Sequence, residues 1–115
     1  MYTHLLVATD GSELSEKALS EAAKLAKALK AKVTLVTVAW VPGSVVVDGV
    51  DIGPSESERQ QVAQDHANAN LKSATLIMQE GGVDCRAVTV LNMRPYKAIL
   101  ETAEAEMCDL IVMAS

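Results

Sequence analysis

The sequence predicts an α/β protein built on a mainly parallel sheet with helices on both faces, and three observations predict it. Short apolar, β-branched runs alternate with stretches of helical periodicity, which implies right-handed crossovers between parallel strands. The first run, Leu5-Leu6-Val7-Ala8, ends in Thr9-Asp10-Gly11-Ser12 and hands directly to a helix. The core palette is Val, Leu, Ile, Ala and Met with no Phe, which suits strands buried on both sides.

The elements follow in order. The first strand covers about residues 4–9. Ser12 is placed to cap the next helix, its hydroxyl accepting an orphan N–H of the first turn. That helix runs to about Lys30, with Leu14, Ala18, Ala22, Leu25, Ala26 and Leu29 at the three- and four-residue spacing of a buried stripe. Residues 33–39 form the second strand, rich in Val and Thr. A long connection from Trp40 to Pro54 follows. Within it, Asp48-Gly49 between valines is a hairpin signal, and an irregular loop reads equally well. Its Val45, Val46, Val47, Val50 and Ile52 form either a partner-binding arm or ordinary packing over the sheet.

Ser55 and Glu58 make a capping box that opens the second helix. Its stripe is Ala63, Ala67, Leu71, Ala74 and Met78, and Gly81-Gly82 ends it. Residues 83–91 are the third strand. Pro95 suits the first turn of a third helix whose apolar side carries Tyr96, Ile99, Ala103 and Met107. Residues 110–114 are the fourth strand.

Bulk properties narrow the function. The chain has 115 residues, one domain's worth, and a formal charge of −5. An acidic balance argues against nucleic acid, since a phosphate-backbone binder needs a basic face. Trp40, Tyr2 and Tyr96 are the only aromatics, too few for a base-stacking platform. No apolar run is long enough for a membrane span and no secretory signal precedes the first strand. Cys85 and Cys108 form no CxxC pair and suggest reduced thiols, so the expected location is the cytoplasm.

The run Ala8-Thr9-Asp10-Gly11-Ser12, then Glu13-Leu14-Ser15-Glu16-Lys17-Ala18-Leu19, resembles the universal stress protein family. So do Ala31-Lys32-Val33-Thr34-Leu35-Val36-Thr37-Val38 as its second strand and Asp109-Leu110-Ile111-Val112-Met113-Ala114-Ser115 as its fourth. The resemblance spans the whole chain. It implies a Rossmann-like, adenine nucleotide alpha hydrolase-like fold, with four strands present in the order 3-2-1-4. It also implies that residues 1–115 are one domain lacking the family's glycine-rich phosphate loop, last helix and fifth strand, and hence C-terminally incomplete.

The family's nucleotide-binding members hold ATP or related adenine nucleotides, with magnesium as an accompanying ion. Carried over by position, Asp10 lies by ribose and phosphates, with Ala8 and Thr9 beside it, and Val38 touches adenine. Met113, Ala114 and Ser115 form the fourth-strand wall, with alanine at 114 where glycine is common. Asn92-Met93-Arg94-Pro95 occupies a turn where members often carry glycine before proline. The expected role is a non-catalytic stress-response regulatory module that binds an adenine nucleotide, weakly if the phosphate loop is truly absent. The alternative is a dimeric interaction module of the same fold without nucleotide. Homodimers are common in the family, and the exposed edge along 110–113 is the expected seam.

Other chemistries lack their constellations. Asp10-Gly11-Ser12 has no second aspartate for a phosphoaspartate enzyme, and Asp109 precedes its strand. His4 and His66 have no ligand set near them, so no metal site is expected. Cys85 and Cys108 read as buried small residues, since neither has a recognisable general base. Trp40 reads as packing under the connection, with a border on adenine as the sharper alternative.

Overall fold

The computed structural model describes residues 2–39, 41, 43–91 and 94–113. Its order is β1 (His4–Ala8), α1 (Glu13–Leu29), β2 (Lys32–Ala39), β3 (Val46–Val47), β4 (Val50–Asp51), α2 (Glu56–Glu80), β5 (Cys85–Leu91), α3 (Pro95–Ala105) and β6 (Leu110–Val112). Four strands form one sheet in the order β5-β2-β1-β6. Every pairing in it is parallel, with Leu6 opposite Thr34 and Ile111, and Val36 opposite Val88. Numbering only the sheet strands, this is the expected 3-2-1-4.

The period-two alternation of the central strands divides the core. Leu5, Val7, Val33 and Leu35 face α1 and α2, where Leu19, Leu71 and Met78 meet them. Leu6 and Val36 face the other way, onto Ile99 and Ala103 of α3. Leu5, Leu6, Val7, Leu35, Val36 and Met78 are fully buried.

The caps fall where the side chains dictate. Ser12 accepts the Ser15 N–H at 3.1 Å and Ser55 accepts the Glu58 N–H at 3.2 Å. α1 ends in a left-handed Lys30, whose N–H returns to the Ala26 and Lys27 carbonyls. At the amino ends of β1 and β6, Asp109 ties the two strands together. Its carboxylate accepts the Thr3 and His4 N–H groups at 2.9 Å each and the Thr3 hydroxyl at 3.1 Å. These bonds hold its carboxyl below the usual carboxylate range.

Two helical faces differ from the expectation. α1 buries Ser15, Leu19, Ala22, Ala23 and Ala26, while Leu14 and Leu25 are exposed. Alanines crowd this helix, so two neighbouring faces are almost equally apolar, and Ser15 settles the choice by bonding Asp10. α3 buries Ala98, Ile99, Thr102 and Ala103. Tyr96 is exposed, and Met107 lies beyond the helix at φ 55, 83 % exposed. The α2 stripe is as expected, all five residues being buried. Of the connection, 46–51 is a hairpin: Asp48 and Gly49, at φ 50 and 76, make the two-residue turn that twists with the strands. The third strand starts at Cys85 rather than residue 83, because Val83 is used to close the end of α2, its N–H bonding the Met78 carbonyl at 2.9 Å. The readings of Trp40 and of Asn92-Met93 lie outside the described residues.

Candidate functional site

Parallel strands bring their carboxyl ends to one rim, and there the chain leaves a cavity of about 500 Å³. β1 and the turn after it contribute Ala8, Thr9 and Asp10, and the end of β2 contributes Val36, Thr37, Val38 and Ala39. Val62, Ala63, His66, Ala67 and Asn70 of α2 close one side, and Ile99 and Met113 the other. The hollow exists because small residues meet here. Ala39, Ala63 and Ala67 pack together where longer side chains would fill the space.

The polar end is built around Asp10. Its Oδ1 accepts the Ser12 N–H at 2.9 Å and the Ser15 hydroxyl at 2.6 Å. The Ser15 oxygen in turn accepts the Asp10 N–H at 3.3 Å, and Asn70 Nδ2 donates to the Asp10 carbonyl at 3.3 Å. The Ser12 and Ser15 hydroxyls, with the Ser12 N–H, lower the carboxyl to about 2. Asp10 is therefore a carboxylate at any ordinary pH, and among the described residues its Oδ2 has no partner. Asp10 lines the cavity, so its carboxylate is an acceptor within reach of a ligand there.

Gly11 makes this turn feasible. Its φ of +80 lies in the region that L side chains avoid, and Asn70 packs so closely that an added Cβ would sit 2.8 Å from Asn70 Cγ. The β1–α1 turn is thus locked to α2 by one side chain.

Among the described residues the lining carries one carboxylate and neither lysine nor arginine. The first turn of α1 already holds Glu13 and Glu16 against its dipole. The described part of the cavity suits an uncharged, largely apolar group with hydroxyls to donate. Ala8, Thr9, Asp10, Val38 and Met113 all line this one cavity, whereas Ala114 and Ser115 lie outside the described residues. Ser15 and the α2 row Val62, His66, Asn70 were not anticipated. Their i, i+4, i+8 spacing beside the buried Ala63-Ala67-Leu71 row is the signal that marks them. Among the described residues, no group of three or more His, Cys, Asp or Glu is placed to hold a metal, and no helix is long and apolar enough to cross a membrane. Burial raises the Cys85 and Cys108 thiols above their usual range, which disfavours thiolate chemistry.

The family model of the universal stress protein family matches residues 1–115. The chain belongs to that family. A universal stress family protein from Burkholderia pseudomallei is 25% identical, with a TM-score of 0.81, over 99% of this chain and 82% of its own. The universal stress protein of Archaeoglobus fulgidus, solved in complex with dAMP, is 21% identical with a TM-score of 0.73, over 97% of this chain and 80% of its own. An Arabidopsis thaliana family protein with AMP bound is 17% identical with a TM-score of 0.69, over 98% and 76%. No curated protein matches the chain.

Proposed function

We propose that this member of the universal stress protein family is a non-catalytic regulatory module that binds an adenine nucleotide in the cavity at the carboxyl ends of β1 and β2. The observation that carries the reading is the Asp10 carboxylate, held ionised and with Oδ2 unpartnered among the described residues, in the lining of a cavity whose other side chains are mainly aliphatic. A ribose diol donates to such an oxygen, and a purine ring fits the slot between Val38 and the alanines of α2. The relatives solved with dAMP and AMP support the same class of ligand. Phosphates lie beyond Asp10, where magnesium is a natural companion because it offsets the carboxylate. The described lining is mainly aliphatic, with Asp10 its one carboxylate, and on our reading the nucleotide acts as a signal rather than a substrate. We place the module in the cytoplasm and expect it to act as a homodimer.

Titration calorimetry with AMP, and with ATP plus magnesium, tests the reading. Wild type binds, and Asp10→Asn weakens binding about 10-fold or more, the effect of losing a charged acceptor. Failure of both nucleotides to bind at millimolar concentration contradicts it and favours the alternative, an interaction module without nucleotide.

A further inference from the structure

We propose that His66 is the side chain that reads the base in this cavity, and that its place on α2 selects a purine over a pyrimidine. The inference rests on the adenine-nucleotide reading above and names the residue that gives that site its specificity.

The helix α2 acts as a ruler along the cavity. Its Ala63 and Ala67 pack on Ala39 at the end of β2. Val62, His66 and Asn70 each stand one residue earlier than Ala63, Ala67 and Leu71, about 100° round the helix, and line the cavity. Asn70 marks one end of the row, because its Nδ2 donates to the Asp10 carbonyl at 3.3 Å. His66 stands one turn nearer the helix start, about 6 Å along the axis, and Val62 about 6 Å further. The row therefore begins beside the carboxylate, presents an imidazole one turn on, and ends in an aliphatic side chain.

A ribose whose diol donates to Asp10 carries its base on the adjoining carbon. With that base in the slot between Val38 and the α2 alanines, its ring system runs along the row. The fused rings of a purine extend from the sugar by about one helical turn, ~5 Å, which brings the outer ring level with His66. A single pyrimidine ring stops short. Imidazole suits the contact, being a flat ring with one donor and one acceptor nitrogen when neutral.

His66 is free to make it. The residue is exposed, and among the described residues it has no hydrogen bond or ion pair. The other polar side chains of the lining are engaged or buried. Ser15 and Asn70 bond Asp10, Thr9 accepts the Gly11 N–H at 3.4 Å, and Thr37 is 3 % exposed. The core has no use for the imidazole, since Ala63, Ala67, Leu71, Ala74 and Met78 make the buried face of α2.

The chain has two histidines. His4, whose Nε2 lies 2.7 Å from the Thr34 hydroxyl, is at the opposite end of β1 from the cavity and serves as an internal control. In NMR spectra of the two imidazoles, AMP should shift the His66 signals saturably and leave those of His4 in place, while UMP should leave both nearly unmoved. Alanine is the better helix former, so His66→Ala should keep the wild-type circular dichroism. That variant should lose about 10-fold in AMP affinity by calorimetry, the scale of one base–ring contact, with UMP affinity nearly unchanged. Asp10→Asn should weaken both nucleotides alike, because both carry the same ribose. A wild type that binds no AMP overturns the nucleotide reading and this inference with it. AMP binding that leaves the His66 signals still, or that His66→Ala matches, overturns the role of His66 alone. So does a His66→Ala protein that loses AMP and UMP affinity equally.

Discussion

Replacing Gly11 by alanine tests how the aspartate turn is held. Two costs combine. The backbone at φ +80 disfavours a Cβ by about 1–2 kcal/mol. The new methyl would also lie 2.8 Å from Asn70 Cγ, so Asn70 must swing away and give up its 3.3 Å bond to the Asp10 carbonyl. A hydrogen bond of that kind is worth about 1 kcal/mol. The expected loss is roughly 2–3 kcal/mol, or about 10 °C in Tm for a domain of this size. Asn70→Ala alone should cost about 1 kcal/mol. Because Gly11→Ala has already broken the Asn70 bond, the double variant should be less destabilised than the sum of the two, by about 1 kcal/mol. Urea unfolding of the four proteins gives the cycle directly. Additive losses, or a Gly11→Ala protein as stable as wild type, would refute the clamp between α2 and the turn.

Other perturbations probe the remaining parts. Ala67→Leu projects into the cavity, so it should weaken AMP binding at least 10-fold while Tm, read by calorimetry, moves little. Met78→Ala empties a fully buried position on the core face of α2 and should cost about 2–5 kcal/mol in urea unfolding. Asp109→Asn keeps one acceptor oxygen where the carboxylate offers two, to the Thr3 and the His4 N–H groups, and should lower stability. The Asp109 carboxyl is depressed in the folded chain, so its contribution is complete above the unfolded carboxylate pKa and is lost as pH falls through the folded value. Unfolding curves of wild type and variant should therefore differ at neutral pH and converge in acid.

Much of this was legible in the chain. The parallel sheet follows from β-branched runs alternating with helices, its strand order from the family resemblance, and the α2 stripe from a single well-spaced row of apolar residues. The α1 face was not, because Ala18, Ala22, Ala23, Ala26 and Ala28 give that helix two nearly equal apolar faces. A tertiary bond from Ser15 to Asp10 decides between them. Tyr96 and Met107 misled by size, since α3 buries the smaller Ala98 and Thr102 instead. At the site, the strand-end residues were readable because their motif and their place at the sheet's carboxyl edge agree. His66 and Asn70 were not, because polar residues on an amphipathic helix read as its solvated face until the fold turns them over a cavity. The hairpin was visible in Asp48-Gly49, but its exposure depends on what does not pack against it, which no local pattern encodes.

The central claim is that the cavity at the ends of β1 and β2 receives the nucleoside half of an adenine nucleotide. Amide correlation NMR of the labelled protein titrated with AMP tests it most directly. The account predicts saturable shifts gathered on residues 8–12, 37–39, 62–70 and Met113, with β5 and the hairpin unmoved. Absence of any shift at millimolar AMP, or shifts gathered on β5 and the hairpin instead, would contradict it.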